Sequence, residues 1–274
     1  MPSSRNFSKS IKVLVQGMKA REITSIIEEF APLSFQEKWD NSGYCIGSPE
    51  QEVHSAILGL DCTPRLVDEA VASGADMIIT HHPMIFSGVN KISPDTNLGY
   101  MIYQAIKHNI VVYSSHTNMD KVLEGVSGLM AKRLGLNGVE ILEKGEMGEG
   151  LGVVGTLPEP LMDEEFARLV KERFSLRQLR CSVPCGREIR KVALCGGSGK
   201  SLIRTAVMSG ADAYITGDIS YHEFMTENGF FLADIGHYEG EIDIVERISG
   251  ILKEKISNFA VRIYRDNNNL VYYI

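Results

Sequence analysis

The strongest constraint on what this chain can fold into is that it repeats itself. Ala70-Val71-Ala72-Ser73-Gly74-Ala75-Asp76 returns as Ala206-Val207-Met208-Ser209-Gly210-Ala211-Asp212, a spacing of 136 from Gly74 to Gly210. Ile79-Thr80 and Ile215-Thr216 match with no gap. Each copy reads as the end of a helix, a glycine turn and a short apolar run that suits a buried strand. Strand and helix patterns alternate around both copies. The first is flanked by strand 56–60, helix 64–73, strand 77–80, helix 98–108 and strand 110–113. The second has strand 191–195, helix 201–209, strand 213–216, strand 230–234 and a last helix from about 241 to 256. This alternation predicts an α/β fold, two pseudo-repeated β-α-β lobes with mixed sheets covered by helices.

The remaining segments are placed around these lobes. Residues 1–17 precede the first helical pattern, which covers 20–31, and are expected to form a flexible lead. Residues 18–274 form one unit, with half-lobes 18–147 and 186–274 joined by a small β/α segment 148–185. Residues 260–265 and 270–274 bracket Asp266-Asn267-Asn268-Asn269 and suggest a hairpin.

Composition excludes several classes. The 274 residues are 44% hydrophobic and 23% charged, as in an ordinary globular protein. A net charge of −7 argues against a nucleic-acid partner, which leaves a basic footprint. No apolar run approaches the ~20 residues that span a bilayer, so no membrane partner is expected. The five cysteines, at 45, 62, 181, 185 and 195, suit a reducing compartment better than a disulfide framework, and we read the protein as cytoplasmic.

Polar residues at the strand ends carry the chemistry. Thr80-His81-His82-Pro83 follows the first repeat strand, where open α/β sheets place their ligand sites. Each half then reaches another strand followed by a histidine with a carboxylate four positions on: His116 and Asp120, then His237 and Glu241. On a helical turn such pairs share a face. Repeated packing explains the alanines and the Gly-Ala-Asp turn, but it does not require these polar pairs. Imidazole and carboxylate donors suit divalent zinc, iron, manganese, nickel or cobalt, and two such sets can hold two ions. Two-metal sites favour hydrolysis.

Other motifs carry less. Gly196-Gly197-Ser198-Gly199-Lys200-Ser201 resembles the end of a P-loop but lacks its first glycine, Leu194 standing there, and a tight strand-to-helix turn explains it better. His222-Glu223 begins like a zincin helix without the second histidine at 226. His222 follows Asp218 closely enough to line the site, and either His116 or His222 is a candidate proton shuttle. Asp61 reads equally as a residue supporting the site or as a turn cap. His54 and His108 read as surface residues.

Taken together, Trp39-Asp40-Asn41-Ser42-Gly43, Thr80-His81-His82-Pro83, His116-Thr117-Asn118-Met119-Asp120, Gly196-Gly197-Ser198-Gly199, Thr216-Gly217-Asp218 and Gly236-His237-Tyr238-xx-Glu241 resemble the Nif-three-like family. Its members are commonly labelled GTP cyclohydrolase I type 2 homologues. The resemblance runs from Met18 onward and implies the short form, without a large inserted domain. It also implies a dinuclear metal site of His81, His82, Asp120, His237 and Glu241, with Glu241 bridging and His116 close by. A toroidal homohexamer with metal sites facing an internal cavity is implied as well. The expected function is metal-dependent hydrolysis of a small, nucleotide-like substrate. The alternatives are a metal-binding adaptor or metallochaperone without turnover, and a regulatory ring that binds partner proteins.

Overall fold

The computed structural model describes residues 17–184, 186–227, 229–266, 269–272 and 274. The expected flexible lead, apart from Gly17, therefore lies outside the described residues, as do Cys185, Asn267 and Asn268. The first elements are β1 (Met18–Lys19), α1 (Ala20–Phe30), β2 (Gly43–Ile46), β3 (Glu52–Val53), β4 (Ser55–Gly59), α2 (Pro64–Ser73) and β5 (Met77–Thr80). They are followed by α3 (Asn97–Lys107), β6 (Val111–Ser114), α4 (Thr117–Asp120), α5 (Val126–Leu134), β7 (Asn137–Lys144) and β8 (Gly150–Met162). The chain continues through α6 (Asp163–Arg173), β9 (Arg180–Cys181), β10 (Glu188–Leu194), α7 (Ile203–Met208), β11 (Ala213–Thr216) and β12 (Phe231–Asp234). It closes with α8 (His237–Glu241), α9 (Asp243–Lys255) and β13 (Ala260–Ile263).

Local chemistry sets these boundaries. Thr63 caps α2 by accepting from Leu66 N at 3.2 Å, and Pro64 stands at the first helical position, where its missing N–H costs nothing. Gly74 ends α2 in the left-handed region at φ 66°, and Gly210 does the same at φ 75° in the second copy. The aspartate that follows each glycine turn has a structural task. Asp76 Oδ2 accepts from His54 N at 2.7 Å and Ser55 N at 3.2 Å, stapling the start of β4. Asp212 Oδ2 accepts from Arg190 N at 2.9 Å and Lys191 N at 2.8 Å, stapling β10. The repeat is thus a repeated staple between neighbouring parallel strands.

Two mixed sheets carry the fold, as expected. One has the order β13-β4-β5-β6-β2 and the other β7-β8-β10-β11-β12-β9. In the first, β13, β4, β5 and β6 are parallel and β2 runs against β6. In the second, β10, β11 and β12 are parallel, while β8 and β9 run antiparallel at either side of them. Side chains alternate across the first sheet. Leu58, Ile79 and Tyr113 pack against Ile23 and Ile27 of α1 and Ile248 of α9. Ile57, Ile78 and Val112 pack on the other face against Leu66 of α2 and Ile102 of α3. The second sheet is covered likewise by Phe166 and Val170 of α6 on one face and Ala206 of α7 on the other. At about 25 cal/mol per Å² of apolar surface removed from water, these four interfaces are the main favourable term in folding.

The sheets divide the chain differently from the expected boundaries. The segment 148–185 is not a separate insert, because β8 lies between β7 and β10 and so joins the second sheet, which already takes β7 from the first half. At the other end, α9 and β13 return to the first sheet, where β13 pairs with β4. That pairing also replaces the expected C-terminal hairpin: β13 finds its partner in β4, and the described residues beyond it form no strand. The helix α5 and the strand β7 carried no clear periodicity in the sequence. The last helix, expected from about 241, is α9, and the short α8 over His237–Glu241 precedes it. Cys45, Cys62, Cys181 and Cys195 are free thiols. No helix among the described residues is long and apolar enough to cross a membrane.

Candidate metal centre

Three strands, β5 and β6 of the first sheet and β12 of the second, deliver the polar residues to one place. His81 and His82 follow β5, His116 follows β6, and His237 follows β12, each beyond the carboxyl end of its strand. His116 caps α4, which ends at Asp120, and His237 opens α8, which ends at Glu241. Both i,i+4 pairs therefore lie on a single helical turn, as the spacing predicts. Asn118 holds α4 in place by donating from Nδ2 to the Ala31 carbonyl at 2.7 Å, at the end of α1. The turn after β5 is fixed by Thr80 Oγ1, which donates to His82 O at 2.7 Å, and by His82 N, which donates to Leu60 O at 3.0 Å.

The five expected ligands converge, and His116 joins them. Three groups of ligating atoms form: His81, His82 and His116; His82, His237 and Glu241; and His81, Asp120 and Glu241. Glu241 Oε2 lies 2.9 Å from His82 Nε2 and 3.1 Å from His237 Nε2. Its other oxygen, Oε1, lies 3.9 Å from His81 Nε2, which is 3.6 Å from Asp120 Oδ1. One carboxylate thus faces two triads, the arrangement a bridging ligand needs.

Each imidazole is oriented from behind. His81 Nδ1 donates to the Ser115 carbonyl at 2.8 Å and His82 Nδ1 to Asp61 Oδ1 at 2.8 Å. His116 Nδ1 donates to Asp40 Oδ1 at 2.8 Å and His237 Nδ1 to Asp218 Oδ2 at 2.7 Å. With the proton on Nδ1, each ring turns its Nε2 lone pair into the cluster, as metal-ligating histidines do. Asp40 is itself held, accepting from Thr117 N at 3.1 Å and Ser42 Oγ at 2.8 Å as well as from Thr117 Oγ1.

The electrostatics leave room for cations. No ion pair among the described residues brings a lysine or arginine to Asp120 or Glu241. Burial, aided by the nearby Glu241, raises the Asp120 carboxyl well above its usual range. Burial drives His81 down to about 3, so that ring stays neutral, and its Nε2 is buried with no hydrogen-bond partner. For His82 and His237 burial opposes charging but is outweighed by hydrogen bonds, chiefly to Asp61 and Glu241 for His82 and to Glu241 for His237. They rise to about 10 and about 9. Glu241 is lowered: burial opposes its ionisation, but the hydrogen bonds from His237 and His82 prevail. Without metal, then, protons on His82, His237 and Asp120 occupy a cluster whose Nε2 and carboxylate donors fit divalent cations. The orphaned His81 Nε2 is the clearest sign of that fit.

The glycine loop before α7 serves this cluster as well. Gly197 has φ 57°, and a Cβ there would lie 2.2 Å from Glu241 Oε1. Its carbonyl accepts from Gly217 N at 2.8 Å and Thr216 Oγ1 at 3.1 Å, which ties the loop to the end of β11. The loop is a close-packed turn against the Glu241 carboxylate. Lys200 turns away to pair with Glu223 at 3.1 Å.

Some residues stand elsewhere. His222, a candidate for lining the site, does not line the central cavity; Asp218 turns the chain at φ 56° and His222 meets the Tyr221 ring edge-on at 5.2 Å, beside a separate cavity. His54 and His108 are exposed, as expected. Asp40, Ser115 and Asp218 were not identified as orienting groups from the sequence, because their pairing depends on contacts such as His116 to Asp40 across 76 residues. The cluster opens into a cavity of about 1030 Å³, whose walls include Trp39, Phe86 and Tyr238.

The comparisons with known proteins agree with this architecture. A protein named GTP cyclohydrolase 1 type 2 homolog from Clostridium perfringens is 35% identical over 246 residues, 88% of this chain and 94% of that protein. A protein of the same name from Clostridium acetobutylicum is 36% identical over 262 residues, covering 91% and 97%. Among solved structures, Staphylococcus aureus hypothetical protein SA1388 superposes with a TM-score of 0.87 at 27% identity, over 94% of this chain and all of that one. The family profile for Duf34/NIF3 (NGG1p interacting factor 3) matches residues 18–269, and the chain belongs to that family.

Proposed function

We propose that this protein is a metal-dependent hydrolase of a small, nucleotide-like substrate, working at a dinuclear centre. The observation that carries the reading is the set of four imidazoles whose Nδ1–H groups are all engaged from behind, three of them grouped with the carboxylates of Glu241 and Asp120 and His116 grouped with His81 and His82. His82, His237 and Glu241 Oε2 would hold one cation, and His81, Asp120 and Glu241 Oε1 the other. Each triad supplies three protein donors, one fewer than a closed four-coordinate structural site, which favours catalysis over storage. When bound, two divalent cations supply an acidified water and a clamp for a substrate oxygen. Asp40 fixes the His116 ring so that Nε2 accepts a proton at the cluster's edge. The cavity is large enough for a nucleotide, and the names of the clostridial relatives direct the search to guanine nucleotides first.

Metal content should be measured on protein purified without added metal, followed by a screen of nucleotides and phosphate esters. The expected result is turnover that a chelator abolishes and one added divalent ion restores. Undiminished turnover in excess chelator, or none from fully loaded protein across the screen, would overturn the reading.

A further inference from the structure

We propose that Trp39 and Phe86 form the recognition wall for a planar heteroaromatic ring, the base of a nucleoside, held beside the metal centre. The inference rests on the reading of that centre as catalytic, and extends it to what the substrate must carry. Two large apolar rings line the same cavity as the ligating atoms, yet Trp39 is 60% exposed and Phe86 54% exposed. Neither is there by default. Trp39 precedes Asp40, whose side chain is fully buried against His116 and Thr117, so the backbone under the indole is pinned. Asn41 Nδ2 donates to the Ile85 carbonyl at 2.6 Å, tying the loop that carries Trp39 to the loop that carries Phe86.

The rings are set relative to the centre. Their centroids lie 5.8 Å apart at 41°, an open wedge and not a closed stack. Both meet the His116 ring edge-on, Trp39 at 6.1 Å and 72° and Phe86 at 5.8 Å and 70°. His116 in turn lies 5.3 Å from the His81 ring and 5.4 Å from that of His82. A flat ring laid on this wall is therefore one imidazole away from the ligand cluster. Pre-ordered exposed aromatics bind such rings through their faces at little entropic cost, and base–aromatic stacking tolerates any base because every base has a π-face.

Trp39 is the chain's only tryptophan, so its emission reports on this wall alone. Guanosine, with ribose as the control, should be titrated into zinc-loaded and chelator-treated protein. Saturable quenching by guanosine in both states, with none by ribose, is the expected result. Phe86→Ala keeps the fluorophore and should weaken guanosine about 5- to 100-fold, with metal content unchanged. Trp39→Phe, followed by equilibrium dialysis with labelled guanosine, should bind more tightly than Trp39→Ala. Absence of saturable quenching, or equal quenching by ribose, would overturn the proposal. So would a Phe86→Ala variant that sediments differently while binding guanosine as before, since the rings would then belong to a contact between copies. Quenching that persists in a protein lacking metal-dependent turnover would overturn the hydrolase reading and leave the wall standing.

Discussion

Glu241 differs from its neighbours in that its two oxygens face different triads, at 2.9 and 3.1 Å on one side and 3.9 Å on the other. Glu241→Gln keeps the shape and removes the anion, so both ions should be lost or greatly weakened, as measured by elemental analysis. Asp218→Asn leaves an oxygen to accept from His237 and should weaken binding by about tenfold, the lower end for groups that orient a ligand. Equal loss from both variants would show the second triad to be wrongly assigned. Gly197→Ala should resemble Glu241→Gln in metal content, because the added Cβ meets Oε1 at 2.2 Å. Proton linkage gives a further test. His82 and His237 are raised above the ordinary value of 6.5 to about 10 and about 9. In metal-free protein their contribution to stability is full below about 6.5 and is lost as pH rises through 9 to 10. The metal-free melting temperature should therefore fall across that window, while metal affinity rises from pH 6.5 to 8.5 as fewer protons must be displaced. A metal-free protein that gains stability across it would contradict the assignment.

At the scale of elements, the four-residue α4 and five-residue α8 are too short to stand alone in water. They are helical because the surrounding fold holds them, α4 through Asn118 on the Ala31 carbonyl. The repeated aspartate works at this scale too. Asp212→Ala removes two hydrogen bonds to the start of β10 and should cost about 1–3 kcal/mol in chemical denaturation. Metal content should stay unchanged, because the staple lies at the opposite end of its strand from the ligands. Loss of metal from that variant would mean that strand register, and not only stability, depends on Asp212.

For the whole molecule, the return of α9 and β13 to the first sheet makes the chain cross between the sheets more than once. Unfolding should accordingly be a single cooperative transition, and bound metal should raise its midpoint, because the ligands converge only in the folded state. Two separated calorimetric transitions would show that the sheets unfold independently. The ring-shaped hexamer is a proposal resting on family resemblance, with the common closure of homo-oligomers in its favour. Sedimentation at micromolar concentration should give a species near six chains, with and without chelator, and a monomer in both conditions would remove the enclosed cavity.

Much of this was written locally in the chain. The repeat, the glycine turns and the apolar runs determined the α/β class and most strand and helix positions, because periodicity and capping act over a few residues. The i,i+4 pairs His116/Asp120 and His237/Glu241 were legible as candidate metal-binding residues for the same reason. Sheet order was not legible: nothing near 260 says that β13 will choose β4 over the residues that follow it. Nor was the pairing of Asp40 with His116, or of Asp218 with His237, since hydrogen bonds between side chains so distant in sequence exist only after the strands are in register. The sequence by itself specified which donors this protein carries. Only tertiary packing turned four imidazoles the same way, pressed Gly197 against Glu241, and left Trp39 ordered but uncovered, because direction and exposure are properties of the assembled surfaces and not of any segment.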